Sequence, residues 1–406
     1  MIARFLRRLT RYVVSGFLSA VASAKAVSRT RQRERELAGA LRKLADAQRD
    51  QLTTLEGRIG VLADRIGQRA TAKDANEILH AIRSLVREAE GEALRPDAKL
   101  YEDLDAIAKG SGPIVAGPWT GEVGFELLYW APFLEWFRAR WRLPAERFVI
   151  ISRGGVESWY GMPGARYADI FSIMPPASFR ARTDPDAHKQ REVSELDREL
   201  VQTVTEGLGL KDAAHLHPRL MYRTFAPFWR DEAGFGLIQQ FTSHRPMPPL
   251  GDPAAAGLPP EYVAARFYFN DGFPDTAANR ALAQSIVEGI AQRIPVVMLD
   301  PGLRVDDHAD YAPAAAPRVL SIAAGLAPER NLAVQSAVIS RARAYVGTYG
   351  GYAYLAPFYG VPAIGFYSER AFKLHHLHVA QRVFERLGRA TVMAIDTAHV
   401  HVARML

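Results

Sequence analysis

Residues 344–368, AYVGTYGGYAYLAPFYGVPAIGFYS, restrict the fold more than any other stretch. The apolar run 344–346 predicts a buried strand, which ends in Gly347-Thr348-Tyr349-Gly350-Gly351. Tyr352, Leu355, Ala356, Phe358 and Tyr359 follow with helical spacing. Gly360 stops that helix, Pro362 prevents its resumption, and 363–367 predicts the next strand. A glycine turn that opens a helix presents backbone N–H groups and the positive end of the helix dipole, an arrangement suited to phosphate or diphosphate.

The residues before this stretch repeat the alternation. Residues 262–269 predict a strand, 276–293 a helix, 295–299 a strand, 318–322 a strand, and 331–341 an amphipathic helix. Such an order predicts a doubly wound parallel sheet, which binds ligands outside the carboxyl ends of its strands. The post-strand residues are therefore the candidates: Asn270 and Asp271, Asp300 and Gly302, Asp306 to His308, Thr348, Tyr349, Gly350 and Gly351, and Ser368 with Glu369. Arg266, inside the first strand of this half, is a candidate cation for a donor diphosphate, with a solvated strand position as the alternative; Arg304 is a second candidate.

A second β-α-β start lies upstream. Residues 114–116 predict a strand running into Gly117-Pro118-Trp119-Thr120-Gly121-Glu122-Val123-Gly124, then an aromatic-rich helix over 125–141, then a strand over 148–152 ending in Arg153-Gly154-Gly155. The glycines superficially match a dinucleotide-binding turn. However, their spacing is GxxxGxxG, Pro118 and Trp119 crowd the turn, and no acidic residue ends the second strand. Glu122 and Glu126 both stand at the loop–helix junction, where the dipole favours a carboxylate. Either could take a proton from an attacking hydroxyl, and either could simply cap the helix. Arg153, Glu157, Trp159 and Tyr160 follow the second strand; this loop, with Trp119, Thr120 and Gly121, combines aromatic faces with polar groups as a sugar acceptor site would, with a packed surface loop as the alternative. His215 and His217, and the HHLH run at 375–378, lack the converging partners that a metal site needs. Six prolines over 244–260 mark a linker between two halves of similar length.

Charge is concentrated at the N-terminus. Residues 1–46 hold eleven Lys/Arg against three Asp/Glu, so a net charge of +7 leaves the remaining 360 residues near neutral. The body is thus not basic enough for a nucleic-acid-binding domain. With no cysteine, disulfides, thiolate metal sites and a cysteine nucleophile are excluded. Arginines interleave with apolar residues over 1–11, and 12–22 is apolar but short for a membrane span. An in-plane amphipathic anchor is the leading expectation; a signal peptide ending near Ala22-Ser23-Ala24 and a plain helix are the alternatives. Residues 31–90 contain no proline, and Leu37, Leu41, Leu44, Leu52, Leu55, Ile59, Leu62 and Ile66 form a heptad-like seam with one stutter. That seam predicts a coiled coil and a homo-oligomer, or else a long helix folded back on the body.

Glu126 stands six residues before Pro132, and Glu122 follows Gly121. In heptosyltransferase-like enzymes an acidic residue opens the first helix six residues before a proline, and a Gly-acid pair marks the same turn. Residues 326–341 and the glycine turn that follows also resemble the nucleotide side of that family, although Thr348-Tyr349-Gly350-Gly351 replaces its usual Ser-Gly-Pro. The chain therefore resembles a GT-B-type glycosyltransferase over about residues 112–390. That resemblance implies an α/β fold of two Rossmann-like domains behind an N-terminal amphipathic helix and a coiled-coil region. The expected divisions are 1–30 anchor, 31–100 stalk, 101–243 acceptor domain, 244–260 linker, 261–390 nucleotide-sugar domain and 391–406 tail. It also implies inverting, metal-independent transfer from a nucleotide sugar to a glycan or lipid-linked acceptor, at the inner face of a membrane, in surface-polysaccharide synthesis. Glu126, and after it Glu122, is the expected base. Arg266, Asn270, Thr348, Tyr349, Gly350, Gly351 and Glu369 are expected at the donor, and Trp119, Thr120, Gly121, Arg153, Trp159 and Tyr160 at the acceptor. A pyruvyltransferase on a related fold, or a non-catalytic coiled-coil tether, are the competing readings.

Overall fold

A computed structural model of the chain describes residues 98–183, 190–230, 232–252, 255, 257–299, 309–313, 316–322, 327–368 and 374–397. The chain divides into two units, Met1–Glu92 and Ala93–Leu406, and every described residue belongs to the second. The expected anchor over 1–30 and the heptad seam lie outside the described residues, as do Asp300 to His308 and Glu369. No helix among the described residues is long and apolar enough to cross a membrane.

Two parallel sheets organise the body, giving a mixed α/β fold. The first contains β1 (Ile114–Ala116), β2 (Phe148–Ser152), β3 (Arg166–Asp169) and β4 (Ala214–Leu216), in the order β3-β2-β1-β4. Its register pairs Ile114 with both Phe148 and Ala214. β5 (Val263–Arg266) opens the second half. A short pair, β6 (Tyr268–Phe269) with β8 (Ala309–Asp310), is antiparallel. The second sheet continues with β7 (Val296–Met298), β9 (Val319–Ser321), β10 (Ala344–Thr348), β11 (Ala363–Tyr367) and β12 (Val392–Asp396). Its order is β12-β11-β10-β5-β7-β9. Ranked by succession within each half, the sheets run 3-2-1-4 and 3-2-1-4-5-6, the doubly wound arrangement in which the strand order reverses beside the first strand. That reversal lies between β1 and β4 in one half and between β5 and β10 in the other.

β12 extends the second half past residue 390, where the tail was expected to start: Ala363 to Tyr367 pair in parallel with Val392 to Asp396. The stalk expected over 31–100 also ends differently, because Ala98–Lys109 forms a helix, α1, that buries Leu100, Leu104 and Ala108 along one stripe. The helix after β1, α2, is continuous but not uniform. It runs Val123–Phe125 as α, Glu126–Trp130 as π, and Ala131–Arg140 as α. Pro132 has no N–H for the Leu128 carbonyl, which instead accepts from His244 Nε2 at 2.9 Å. Burial holds that imidazole neutral by lowering its pKa to about 4.

The halves are packed together through α3 (Asn331–Arg341), whose residues are all buried except Ala333 and Arg341. Its expected amphipathic stripe is lost because both faces are covered. Its polar members are satisfied: Ser336 Oγ accepts from Trp159 Nε1 at 3.0 Å, and Ser340 Oγ accepts from Leu250 N at 3.0 Å. The proline-rich linker lies down as a strap, with Met247 N donating to Phe358 O and Ser243 N to Pro132 O. The last helix, α4 (Leu374–Leu387), returns to the first half, where Arg382 and Arg386 sit over the Phe235 ring and His376 Nδ1 lies 2.7 Å from Tyr129 Oη.

Candidate functional site

The turn after β1 is tied on every side. Gly117 adopts a φ of 117°, and a Cβ there would meet Ile151 O at 2.4 Å, so only glycine fits the bend. The Gly117–Pro118 peptide is cis. Trp119 N donates to Ile151 O, and His215 Nε2 donates to Gly117 O at 2.7 Å, which gives that histidine a structural task. Gln190, which carried no sequence signal, accepts from Thr120 N at 3.0 Å and donates to Pro118 O at 2.8 Å. Arg153 donates to Trp119 O at 3.3 Å and to Gly121 O at 2.5 Å.

This bracing places the expected acceptor residues differently from the sequence reading. Trp119 is wholly buried and stacks on Trp130 and Tyr222. Trp159 and Tyr160 are 2% and 1% exposed, so neither ring offers a face to a sugar. Arg153 and Gly121 are buried as well. Only Thr120, half-buried, borders solvent within that group. An exposed-looking run of aromatic and polar residues became interior because β2 delivers it against α3 of the other half. Gly154 and Gly155, with φ of 74° and 77°, lie so close to Leu332 and Ala333 that Ala333 N donates to Gly154 O.

The two glutamates separate in the same way. Glu126 has no exposed surface. Its Oε1 accepts from Ser152 Oγ at 2.6 Å and from Tyr160 Oη at 2.5 Å, while its Oε2 is buried without a partner. Burial raises its pKa to about 7, against the opposing charge of Arg153 and those two hydroxyl donors. A group enclosed in this way cannot touch an acceptor hydroxyl, so Glu126, ranked first by sequence, is placed as an interior brace. Glu122 is exposed at the head of α2 and makes no capping hydrogen bond of its own.

The glycine turn of the second half lies at the β5–β10 reversal. Thr348 Oγ1 accepts from Tyr268 N at 2.9 Å and donates to Tyr268 O at 2.8 Å, which ties β10 to the segment after β5. Tyr349 N donates to Phe366 O, and the Tyr349 and Tyr354 hydroxyls are hydrogen-bonded to each other. Gly350 is the N-cap of the helix Gly351–Phe358 and has no side chain with which to cap its first N–H groups. Arg266 is engaged from within: it grips Asp310 at 2.9 and 3.1 Å, donates to Gln335 Oε1 at 3.0 Å and lies 4.4 Å from the Tyr352 ring centroid. Asp310, which no motif indicated, thus offsets the charge expected to meet a diphosphate. Asn270 closes its own turn, its Oδ1 accepting from Gly272 N and Phe273 N.

The two glycine turns meet. A Cβ on Gly351 would lie 2.7 Å from Gly124 N and 2.8 Å from Val123 Cβ, and one on Gly124 would lie 3.3 Å from Gly351 Cα. Gly351→Ala is therefore expected to destabilise the protein by about 1–3 kcal/mol through overpacking. Gly289→Ala, in a helix with nothing within 4 Å of the new methyl, is expected to stabilise by roughly 0.5–1 kcal/mol. Urea denaturation of the two variants checks both signs, and equal effects would remove the close approach as the cause.

No protein-family model matches the sequence, and no curated protein matches it. Among solved structures the chain is similar to the iron-containing dodecameric glycosyltransferase TibC from enterotoxigenic E. coli H10407. That similarity has 12% identity and a TM-score of 0.37, covering 63% of this chain and 58% of that one. The chain thus spans under two thirds of the TibC structure. It is similar to a family 9 glycosyl transferase from Veillonella parvula DSM 2008 at 12% identity and a TM-score of 0.38, over 73% of this chain and 89% of that one. It is also similar to E. coli ADP-heptose LPS heptosyltransferase II at 11% identity and a TM-score of 0.36, over 70% and 90% of the respective chains.

Proposed function

We propose that the protein is a glycosyltransferase that moves a sugar from a nucleotide-activated donor to an acceptor hydroxyl. The reading rests on one observation: two doubly wound sheets bring the glycine turns at their strand-order reversals into direct apposition, Gly124 against Gly351. One turn is a helix N-terminus suited to a diphosphate, and the other carries an exposed carboxylate, Glu122. In this reading the acceptor oxygen attacks the anomeric carbon while its proton passes to Glu122. The bond from that carbon to the diphosphate oxygen breaks, and the nucleoside diphosphate leaves with the electron pair. Attack opposite the leaving group inverts the anomeric centre. Because Arg266 is neutralised by Asp310, the leaving charge is met chiefly by the N–H groups and dipole at Gly351, with Tyr349 beside them. The basic arm over 1–30 supports an acceptor at a membrane surface, and the heptad seam supports a homo-oligomer.

A thermal-shift panel of UDP-, GDP-, ADP-, CMP- and dTDP-sugars tests this reading. At a hundred times the dissociation constant, the matching donor should raise the midpoint by roughly 5 °C. A panel in which no nucleotide or nucleotide sugar moves the midpoint would overturn it.

A further inference from the structure

Glu122 is the extended N-cap residue of α2, Phe125 lies in the first turn of that helix three residues on, and Tyr129 follows four residues later. The Phe125 ring is the hub of an aromatic cluster. Its centroid lies 4.9 Å from His376, 5.3 Å from Tyr129, 5.7 Å from Trp229 and 6.2 Å from Tyr222. Tyr129 and Tyr222 form the buried floor, whereas Phe125, Trp229 and His376 remain partly exposed. The cluster draws on both halves, since α4 of the second half supplies His376. Burial, and after it the charge of the exposed Glu122, raises the pKa of the Tyr222 hydroxyl, with exposed Arg191 opposing.

From this juxtaposition we infer that the partly exposed rings of Phe125, Trp229 and His376, beside Glu122, form the acceptor platform and take the apolar face of a pyranose ring. A ring stacked there presents its equatorial hydroxyls at the rim, where Glu122 stands. The inference rests on the glycosyl-transfer reading, and it replaces the enclosed Trp119, Trp159 and Tyr160 as the aromatic contribution to the acceptor. Sequence spacing could not have found it, because Phe125, Trp229 and His376 come from three distant segments.

The test combines kinetics with binding. Trp229→Ala should raise the acceptor KM roughly ten-fold, the effect of losing one ring contact. The donor KM should stay within about two-fold, and Trp229→Phe should restore most of the acceptor affinity, because a ring face is retained. A purely structural role for Trp229 would instead lower the melting temperature and both affinities together. Direct binding is measured on an array of neutral pyranose oligosaccharides with full-length protein and the same two variants. Array binding lost in Trp229→Ala and regained in Trp229→Phe supports the platform, even where no nucleotide sugar is turned over and the transfer reading fails. Turnover by the wild type with acceptor KM and array binding unchanged in Trp229→Ala overturns the platform and leaves the transfer reading intact. Should Trp229→Ala not fold, Phe125→Leu carries the same comparison: an unchanged acceptor KM and unchanged array binding overturn the inference.

Discussion

Glu122→Gln is expected to lower kcat by about 10²–10⁴-fold, the usual contribution of a positioned general base. Its melting temperature should stay within about 1 °C of wild type, since the side chain is exposed and makes no capping bond. The amide keeps the shape and removes the basic oxygen, so the loss should fall on kcat while donor KM is retained. Glu126→Gln provides the contrast: its kcat should stay within roughly ten-fold of wild type, because the buried carboxylate reaches the acceptor only through the helix it braces. Single-turnover kinetics on the two variants decides the matter. A large loss in Glu126→Gln with none in Glu122→Gln would restore the order of candidates that the sequence suggested and would falsify the exposed-base assignment.

The second large effect concerns stability and pH, and its sign follows from proton binding. The folded-state pKa of Glu126 is raised to about 7 from 4.5, so between these values the folded protein holds more protons than the unfolded chain. The contribution of this group is fully present below pH 4.5 and is lost as pH rises through 7. The loss by pH 8 is about 3 kcal/mol. Glu126→Gln removes the titration and leaves an acceptor oxygen for Ser152 and Tyr160. The variant should therefore gain stability relative to wild type as pH rises from 4.5 to 8, by about 3 kcal/mol over that window. His244 works in the opposite sense: its pKa is lowered to about 4 from 6.5, so its contribution is lost as pH falls through that range. Comparing wild type with Glu126→Gln at each pH cancels the histidine, which is common to both. Urea unfolding at pH 4.5, 6 and 8 measures the difference, and a difference independent of pH would rule out Glu126 as the titrating group.

The fold was legible where local chemistry is self-sufficient. The apolar runs at 344–346 and 363–367 became β10 and β11, since a strand buried on both faces needs only a short apolar run closed by turn residues. The π segment at Glu126–Trp130 was not legible. It adjoins Pro132, which leaves the Leu128 carbonyl without an N–H that His244, far along the chain, supplies. The short strand Val392–Asp396 was missed because only pairing with β11 distinguishes it from a tail. Gln190, Asp310 and Gln335 carry no motif; each matters through partners distant in the chain.

By itself the sequence determined two α/β halves, a glycine turn after the first strand of one and after a late strand of the other, and two glutamates at the first turn. Those features follow from backbone geometry and apolar periodicity, which neighbours in the chain enforce. Tertiary structure decided which carboxylate meets solvent, which aromatic rings are enclosed and which stay partly exposed, and that Arg266 spends its charge on Asp310. Each of these is a question of burial and pairing between residues remote in sequence. The free energy of a charged or aromatic side chain is set by what surrounds it, and that becomes known only once both halves are packed together.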